Sequence, residues 1–527
     1  MIDTIIKAAM ILVFFAVMLA IGLHCRKQST DVNGFVLGGR SVGPWLSAFA
    51  YGTSYFSAVI FIGYAGQFGW KFGLASTWIG IGNALLGSLL AWVVLGRRTR
   101  LMTQKLSSAT MPDFFEKRYD SRAMKIAASA IIFVFLIPYT ASLYNGLSKL
   151  IAMSFPEIPG GFVTCVIIMA ALTAVYVIAG GYMATAINDF IQGIIMLFGI
   201  VLVIALVLKS NGGFSEAIAS LGAIEEDATF NGAFASFFGN DAFSLLWVVI
   251  LTSLGTWGLP QMIGKFYAIK NEKAINTGTV VSTFFAVIVA GGCYFLGGFS
   301  RLYADNPGIY KADGSVDFDS IVPTMISDLP TIVIGLVLVL VLSASMSTLS
   351  SLVLTSSSTL TLDMLCETCM KKASKKTQLS TIRILILVFV AVSAIIAIVQ
   401  SEFNLAFIAQ FMGVSWGALA GAFLAPFLFG LYWKKTTKTA CFVNFTISTV
   451  LMVGYLVLKF AAPDTLAALP VFWQSPINLG AVMMLASLVI VPVVSLVTKK
   501  FDAQKVDGIF ECYNTEVIVG AKESLGK

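Results

Sequence analysis

Gly52-Thr53-Ser54-Tyr55-Phe56-Ser57 interrupts an apolar run at 45–68 with a glycine, hydroxyls and a β-branched residue, and Gly63 and Gly66 follow it. A helix in lipid must satisfy its backbone groups internally, so it breaks only where protein or a cavity supports the break. A second stretch of this kind, Thr252-Ser253-Leu254-Gly255-Thr256-Trp257-Gly258-Leu259-Pro260-Gln261, lies in the apolar run at 242–264. Four uninterrupted runs separate the two, so each opens a block of five. Interrupted helices at matching positions of two halves point to a binding site between the halves. The other reading is that these glycines and hydroxyls only let helices pack closely.

Composition puts these runs in a membrane. Of 527 residues, 58% are hydrophobic and 12% charged, against about 25% charged in soluble domains. A span needs about 20 predominantly apolar residues. Thirteen runs meet that template, near 4–24, 45–68, 74–96, 124–152, 161–180, 185–208, 242–264, 275–300, 329–363, 382–400, 404–433, 438–460 and 475–498. The first is unlike a secretory leader, because Asp3 precedes it and no basic segment opens it. The expectation is an all-α polytopic protein forming a single membrane domain over 1–527.

Charge sets the sidedness. With the N-terminus outside, alternate loops contain Arg26, Lys27, Arg40; Arg97, Arg98, Arg100, Lys105, Lys117, Arg118, Arg122, Lys125; Lys265, Lys270, Lys273; Lys371, Lys372, Lys375, Lys376, Arg383; and Lys434, Lys435, Lys438. The tail at 499–527 adds Lys499, Lys500, Lys505, Lys522 and Lys527. The opposite loops carry the acids Glu216, Glu225, Glu226, Asp227, Asp305, Asp313, Asp317 and Asp319. Positive loops face the cytoplasm, so an odd span count is expected, with the C-terminus inside a plasma membrane. The net charge of +7 belongs to these loops. Nucleic-acid binding would instead cluster basic and aromatic residues on one exposed face.

Seven scattered cysteines imply no disulfide framework. Cys366 and Cys369 form a C-x-x-C without a second pair or a ligating histidine. His24, the one histidine, falls at the end of the first run. An enzyme would need a convergent nucleophile, base or metal set, and none is visible. A sensor would need an output domain, and the loops hold none; no obligate protein partner is expected.

Two features remain inside the runs. In Ser343-Ala344-Ser345-Met346-Ser347-Thr348-Leu349-Ser350-Ser351, residues Ala344, Ser347, Thr348 and Ser351 share one helical face. Hydroxyls and unwound carbonyls can supply the several oxygens a small hard cation needs; a small-residue packing face is the alternative. Asp189 follows Gly180-Gly181-Tyr182-Met183-Ala184-Thr185-Ala186-Ile187-Asn188. An acid within a membrane segment is a functional candidate, and proton coupling through Asp189 is one form of it. Asn188-Asp189 as a helix cap is the other reading.

Four stretches resemble the signatures of the solute:sodium symporter family: F-V-L-G-G-R-S-V-G-P-W at 35–45, G-G-Y-M-A-T-A-I-N-D-F-I-Q-G at 180–193, S-A-S-M-S-T-L-S-S at 343–351 and F-G-L-Y-W-K-K at 429–435. The resemblance implies a LeuT-like five-plus-five inverted repeat of 13 transmembrane helices. One extra helix would precede it (4–24), with repeats at 45–208 and 242–433 and two extra helices at 438–498. It implies sodium-coupled symport of a small polar solute by alternating access, with an amino acid or small carboxylate favoured over a hexose. The sodium ligands implied are the carbonyls of Thr53, Phe56 and Ala344 and the side chains of Ser347 and Thr348. Asp189, Ser350 and Ser351 match a second sodium site of sialic-acid-type members. By position, the solute pocket would draw on Thr53, Tyr55, Ser57, Thr252, Ser253, Thr256 and Trp257, with Gln261 and Gln410 as further candidates. The partners implied are the solute, sodium ions and the lipid bilayer.

Overall fold

The computed structural model describes residues 2–28, 31–403, 407–499 and 502–514; the tail residues Lys500, Lys522 and Lys527 lie outside the described residues. Among the described residues the chain is helical, and extended pairing is confined to two isolated bridges, Val42 with Ile269 and Tyr310 with Val316.

Among the described residues, eleven helical stretches are long and apolar enough to cross a bilayer. They stand against thirteen expected runs, and the difference is two fused pairs, 59–105 and 161–210, of 47 and 50 residues. Both are broken within. Gly73 stands at φ 62°, ψ −143°, and Gly181 at φ 57°, ψ −157°. The loop expected at 181–184 is therefore a single residue, because a left-handed glycine turns the chain without spending more. A side chain at Gly181 would be strained, and its Cβ would lie 2.9 Å from the Phe35 ring.

The elements that shape the site are α1 (Ile2–His24), α2 (Pro44–Tyr55), α3 (Arg122–Ser154), α4 (Gly161–Ser210), α5 (Ala242–Gly255), α6 (Pro260–Tyr267), α7 (Glu272–Gly297), α8 (Thr331–Thr359) and α9 (Ile408–Tyr432). Both interrupted runs are interrupted in space. Helix α2 stops at Tyr55, Phe56 is extended at φ −106°, ψ 115°, and helical bonding restarts with the N–H groups of Ile60 and Phe61 on Ser57 O at 3.0 and 3.1 Å. Helix α5 stops at Gly255. Leu259 is extended, and Pro260 opens α6 at its first position, where its missing N–H would have had no helical partner. The bend between α5 and α6 lies directly on α9: a Cβ at Gly258 would come within 2.7 Å of Ala420 Cα.

Helix α8 runs through the middle of the bundle and packs against α4, α3, α1 and α2. Its hydroxyls survive burial largely by bonding their own helix. Ser345 donates to Val341 O at 2.6 Å, Ser358 to Leu354 O at 2.6 Å and Thr361, just past its end, to Ser357 O at 2.8 Å. This back-bonding is how such residues live in an apolar helix. The parallel bridge ties the two broken helices at one end. Val42, just ahead of α2, donates to Ala268 O at 3.3 Å and accepts from Lys270 N–H at 3.1 Å, just past α6.

Candidate functional site

The break in α2 decides what gathers around it. The last ladder bond there is Phe56 N–H to Gly52 O at 3.3 Å, so the carbonyls of Thr53 and Ser54 lose their helical donors. Two hydroxyls of α8 reach them. Ser347 Oγ lies 3.1 Å from Thr53 O and 3.1 Å from Ala344 O. Thr348 Oγ1 lies 3.4 Å from Thr53 O, 3.4 Å from Ser54 O and 3.2 Å from Ala344 O. Thr53, Ser54, Ala344, Ser347 and Thr348 are all buried. Five oxygens thus converge with two hydroxyl protons among them, while each carbonyl offers two lone pairs. The cluster is rich in acceptors and carries no fixed charge. Phe56 sits at the break itself, its ring stacked on Tyr55 at 4.3 Å between centroids.

One turn further along α8, the same face meets charge. Ser351 Oγ is 2.9 Å from Ser54 Oγ and accepts from Lys265 Nζ at 2.9 Å. Lys265 Nζ is 3.4 Å from Asp189 Oδ2, and it stands 5.4 Å from the Tyr182 ring centroid. Ser350 Oγ turns back to Ser347 O at 2.9 Å. Asp189 lies eight residues past the Gly181 break with its side chain wholly buried against Lys265, so it caps no helix end. That overturns the capping reading.

Polar candidates at and just past the end of α5 face a wide-turn helix at Asn83–Leu90. Tyr55 Oη donates to Thr252 O at 2.6 Å, and Thr252 Oγ1 donates to Val248 O at 2.9 Å. Ser253 Oγ donates to Asn83 Oδ1 at 3.2 Å, Thr256 Oγ1 to Gly87 O at 3.0 Å and Trp257 Nε1 to Leu86 O at 2.9 Å. Ser57 Oγ is different. It is buried beside Tyr139 Oη, with Trp416 Nε1 next to that, and none of the three atoms makes a hydrogen bond of normal geometry. Tyr139 and Trp416 meet edge to face at 6.0 Å, and Trp416 lies 6.2 Å from Tyr55. On its other side Ser57 lines a small, largely apolar cavity with Phe56, Phe61, Met196 and Ala344.

The two glutamines lie apart from that cavity. Gln261 lines a cavity with Lys265, Ser351 and Tyr182, and neither atom of its amide is hydrogen-bonded. Gln410 lines another with Asn145, Lys149, Asp317 and Asp319, and it accepts from Lys459 Nζ at 2.5 Å. In that second cavity Asp319 Oδ2 accepts from Ile408 N–H at 3.2 Å, and burial raises the Asp319 carboxyl to about 6.

Sequence reasoning missed Lys265, Asn83, Tyr139 and Trp416. Lys265 was counted with the basic loop residues, yet it is 3% exposed on α6. Its signal was the i, i+4 spacing from Gln261, which puts both side chains on one helix face. Tyr139 and Trp416 carry no signal that separates them from packing aromatics.

A helix broken beside an uncharged oxygen cluster, with a second broken helix in the same bundle of membrane-length helices, defines a membrane transporter of the broken-helix class. The chain belongs to the sodium:solute symporter family, whose profile matches residues 35–447. It is therefore an integral membrane secondary transporter rather than an enzyme, and sodium is its coupling ion. It is 28% identical over 433 residues to the osmoregulated proline transporter OpuE of Bacillus subtilis, covering 81% of this chain and 84% of that one. It is 29% identical over 456 residues to sodium/proline symporter 2 of Staphylococcus saprophyticus, covering 85% of each. The fold is also that of a Na+-coupled sialic acid symporter solved in a substrate-bound outward-open state. That likeness has a TM-score of 0.70 at 16% identity, over 94% of this chain and 99% of the other.

Proposed function

We propose that this chain carries a small amino acid, with proline the first candidate, across the plasma membrane together with sodium. The observation that carries the reading is the cluster of Thr53 O, Ser54 O, Ala344 O, Ser347 Oγ and Thr348 Oγ1, with contacts of 3.1–3.4 Å. Adjacent oxygens of a six-coordinate shell at about 2.4 Å from a hard cation stand about 3.4 Å apart. The spacing therefore suits a sodium-sized ion with little rearrangement. Phe56 O, two residues past Ser54 at the extended residue of the break, would complete the shell. The solute would sit at this break around Ser57, with Tyr55, Tyr139 and Trp416 beside it. Thr252, Ser253, Thr256 and Trp257 form the supporting wall.

The solute class is drawn from the two relatives, both named as proline transporters, and from side chains at the break that are polar without being charged. The basic loops support thirteen passes with the N-terminus outside. The repeats then run over 45–208 and 242–433, after one extra helix at 4–24 and before two at 438–498. In the cycle, sodium bound between α2 and α8 would hold those helices together, and solute contacts at the adjoining break would add to that hold.

The test is uptake of labelled proline by the full-length chain in proteoliposomes. A sodium gradient should drive accumulation, and a proton gradient alone should not. Accumulation driven by protons and indifferent to sodium would transfer coupling to Asp189 and overturn the sodium assignment. Sodium-driven uptake of other solutes but not proline would overturn the solute class alone.

A further inference from the structure

Asp189 is a carboxylate with no exposed surface, deep among α4, α6 and α8. A buried charge of that kind must be met by an opposite charge or it neutralises. In this chain the opposite charge is covalently attached. Lys265 Nζ lies 3.4 Å from Asp189 Oδ2 and 2.9 Å from Ser351 Oγ, and its side chain is 4% exposed. The ammonium therefore sits between two of the three side chains (Asp189, Ser350 and Ser351) that could otherwise serve a second sodium. The third, Ser350, spends its proton on Ser347 O at 2.9 Å.

Electrostatics then limits the ion count. An Asp189–Lys265 pair is neutral as it stands. A sodium ion added there would meet the Lys265 ammonium as a like charge at contact range, with Asp189 Oδ2 and Ser351 Oγ already engaged by it. The pair cannot drift away to make room, because Lys265 is carried on α6 and Asp189 on α4, both packed into the bundle. We propose that Lys265 is a built-in cation that discharges Asp189, so that one sodium ion, held at the cluster between α2 and α8, accompanies each solute. The proposal rests on the sodium reading of that cluster given above.

Ser351 gives the lysine a second consequence. Its hydroxyl contacts both Lys265 Nζ and Ser54 Oγ, each at 2.9 Å, and the Ser54 carbonyl belongs to the sodium cluster. Lys265 is accordingly a positioning residue for α2 as well as a counter-charge.

The experiment counts ions without needing the solute. Purified full-length chain is equilibrated with radioactive sodium, and bound ions per chain are measured at saturation. Wild type should bind one. Lys265→Met, which leaves Asp189 unmatched, should bind two, with a steeper sodium dependence. Lys265→Met/Asp189→Asn, neutral again at this position, should return to one. Two ions in wild type would overturn the proposal, and so would one ion in a folded Lys265→Met. No bound sodium in wild type would overturn the sodium cluster itself, a result distinct from either. Should Lys265→Met fail to fold, the wild-type count decides on its own.

Discussion

Replacing Ser347 and Thr348 together by alanine takes away two of the five oxygens at the α2 break, along with both hydroxyl protons the three carbonyls share. One neutral hydrogen-bonding contact contributes about 1 kcal/mol net. Two such contacts make about 2 kcal/mol, or about thirtyfold in an equilibrium constant. The sodium concentration for half-maximal uptake should rise by that factor, and by at least about tenfold if water takes over part of the lost coordination, about 1.4 kcal/mol. Thr348→Ser keeps the oxygen and should stay near wild type. The assay is the initial rate of labelled proline uptake in proteoliposomes across a sodium series, normalised to inserted protein. An unchanged sodium dependence in a folded, inserted double variant would refute the assignment. The cluster would then be a packing contact between α2 and α8.

Sidedness is checked with cysteines placed one at a time in a background without the seven native ones. Those at Ser107 and Ser374, both exposed, should react with impermeant thiol reagents from the cytoplasmic side only, and one at the exposed Ser315 from outside only. Gly258→Ala drives a Cβ to 2.7 Å from Ala420 Cα, so the yield of folded protein in detergent should collapse; normal yield and melting would refute the close approach. Asp319 has its carboxyl raised by burial from 3.8 to about 6. The folded chain thus retains a proton that the unfolded chain releases. Its contribution to stability is fully present below about pH 4 and lost as pH rises through about 6. Asp319→Asn should therefore flatten the part of the melting-temperature profile that falls between about pH 4 and 6, and identical profiles would contradict the burial.

The two breaks were legible because they violate membrane chemistry. Glycine, proline and hydroxyls inside an apolar run need a structural reason, and both runs proved to be interrupted where those residues lie. Ser347 and Thr348 were legible through helical periodicity alone, which put them on the face with Ala344 and Ser351. Lys265 was not, because charge counting assigns a lysine near the end of a run to the adjoining loop and carries no information on depth. Only the packing of α6 against α2 and α8 reveals that the lysine points inward. Gln410 shows the converse. Its residue type suits a polar pocket, but its place on α9 puts it in a different cavity from Ser57. The fusion of 161–210 into one broken helix was hidden too, since Gly180 and Gly181 read equally well as a loop.

The bridge between Val42 and Ile269 is made wholly of main-chain atoms. Side-chain chemistry neither builds it nor reveals it, so drift at positions 42, 268 and 270 leaves it standing unless proline arrives at 42 or 270 and deletes an N–H. Each broken helix thus begins or ends on a shared anchorage. A tilt of α2 at that end is transmitted to the exit of α6, and with it to the lysine two residues from the end of α6. The tie between the two broken helices is, at this point, indifferent to the alphabet in which the rest of the protein is written.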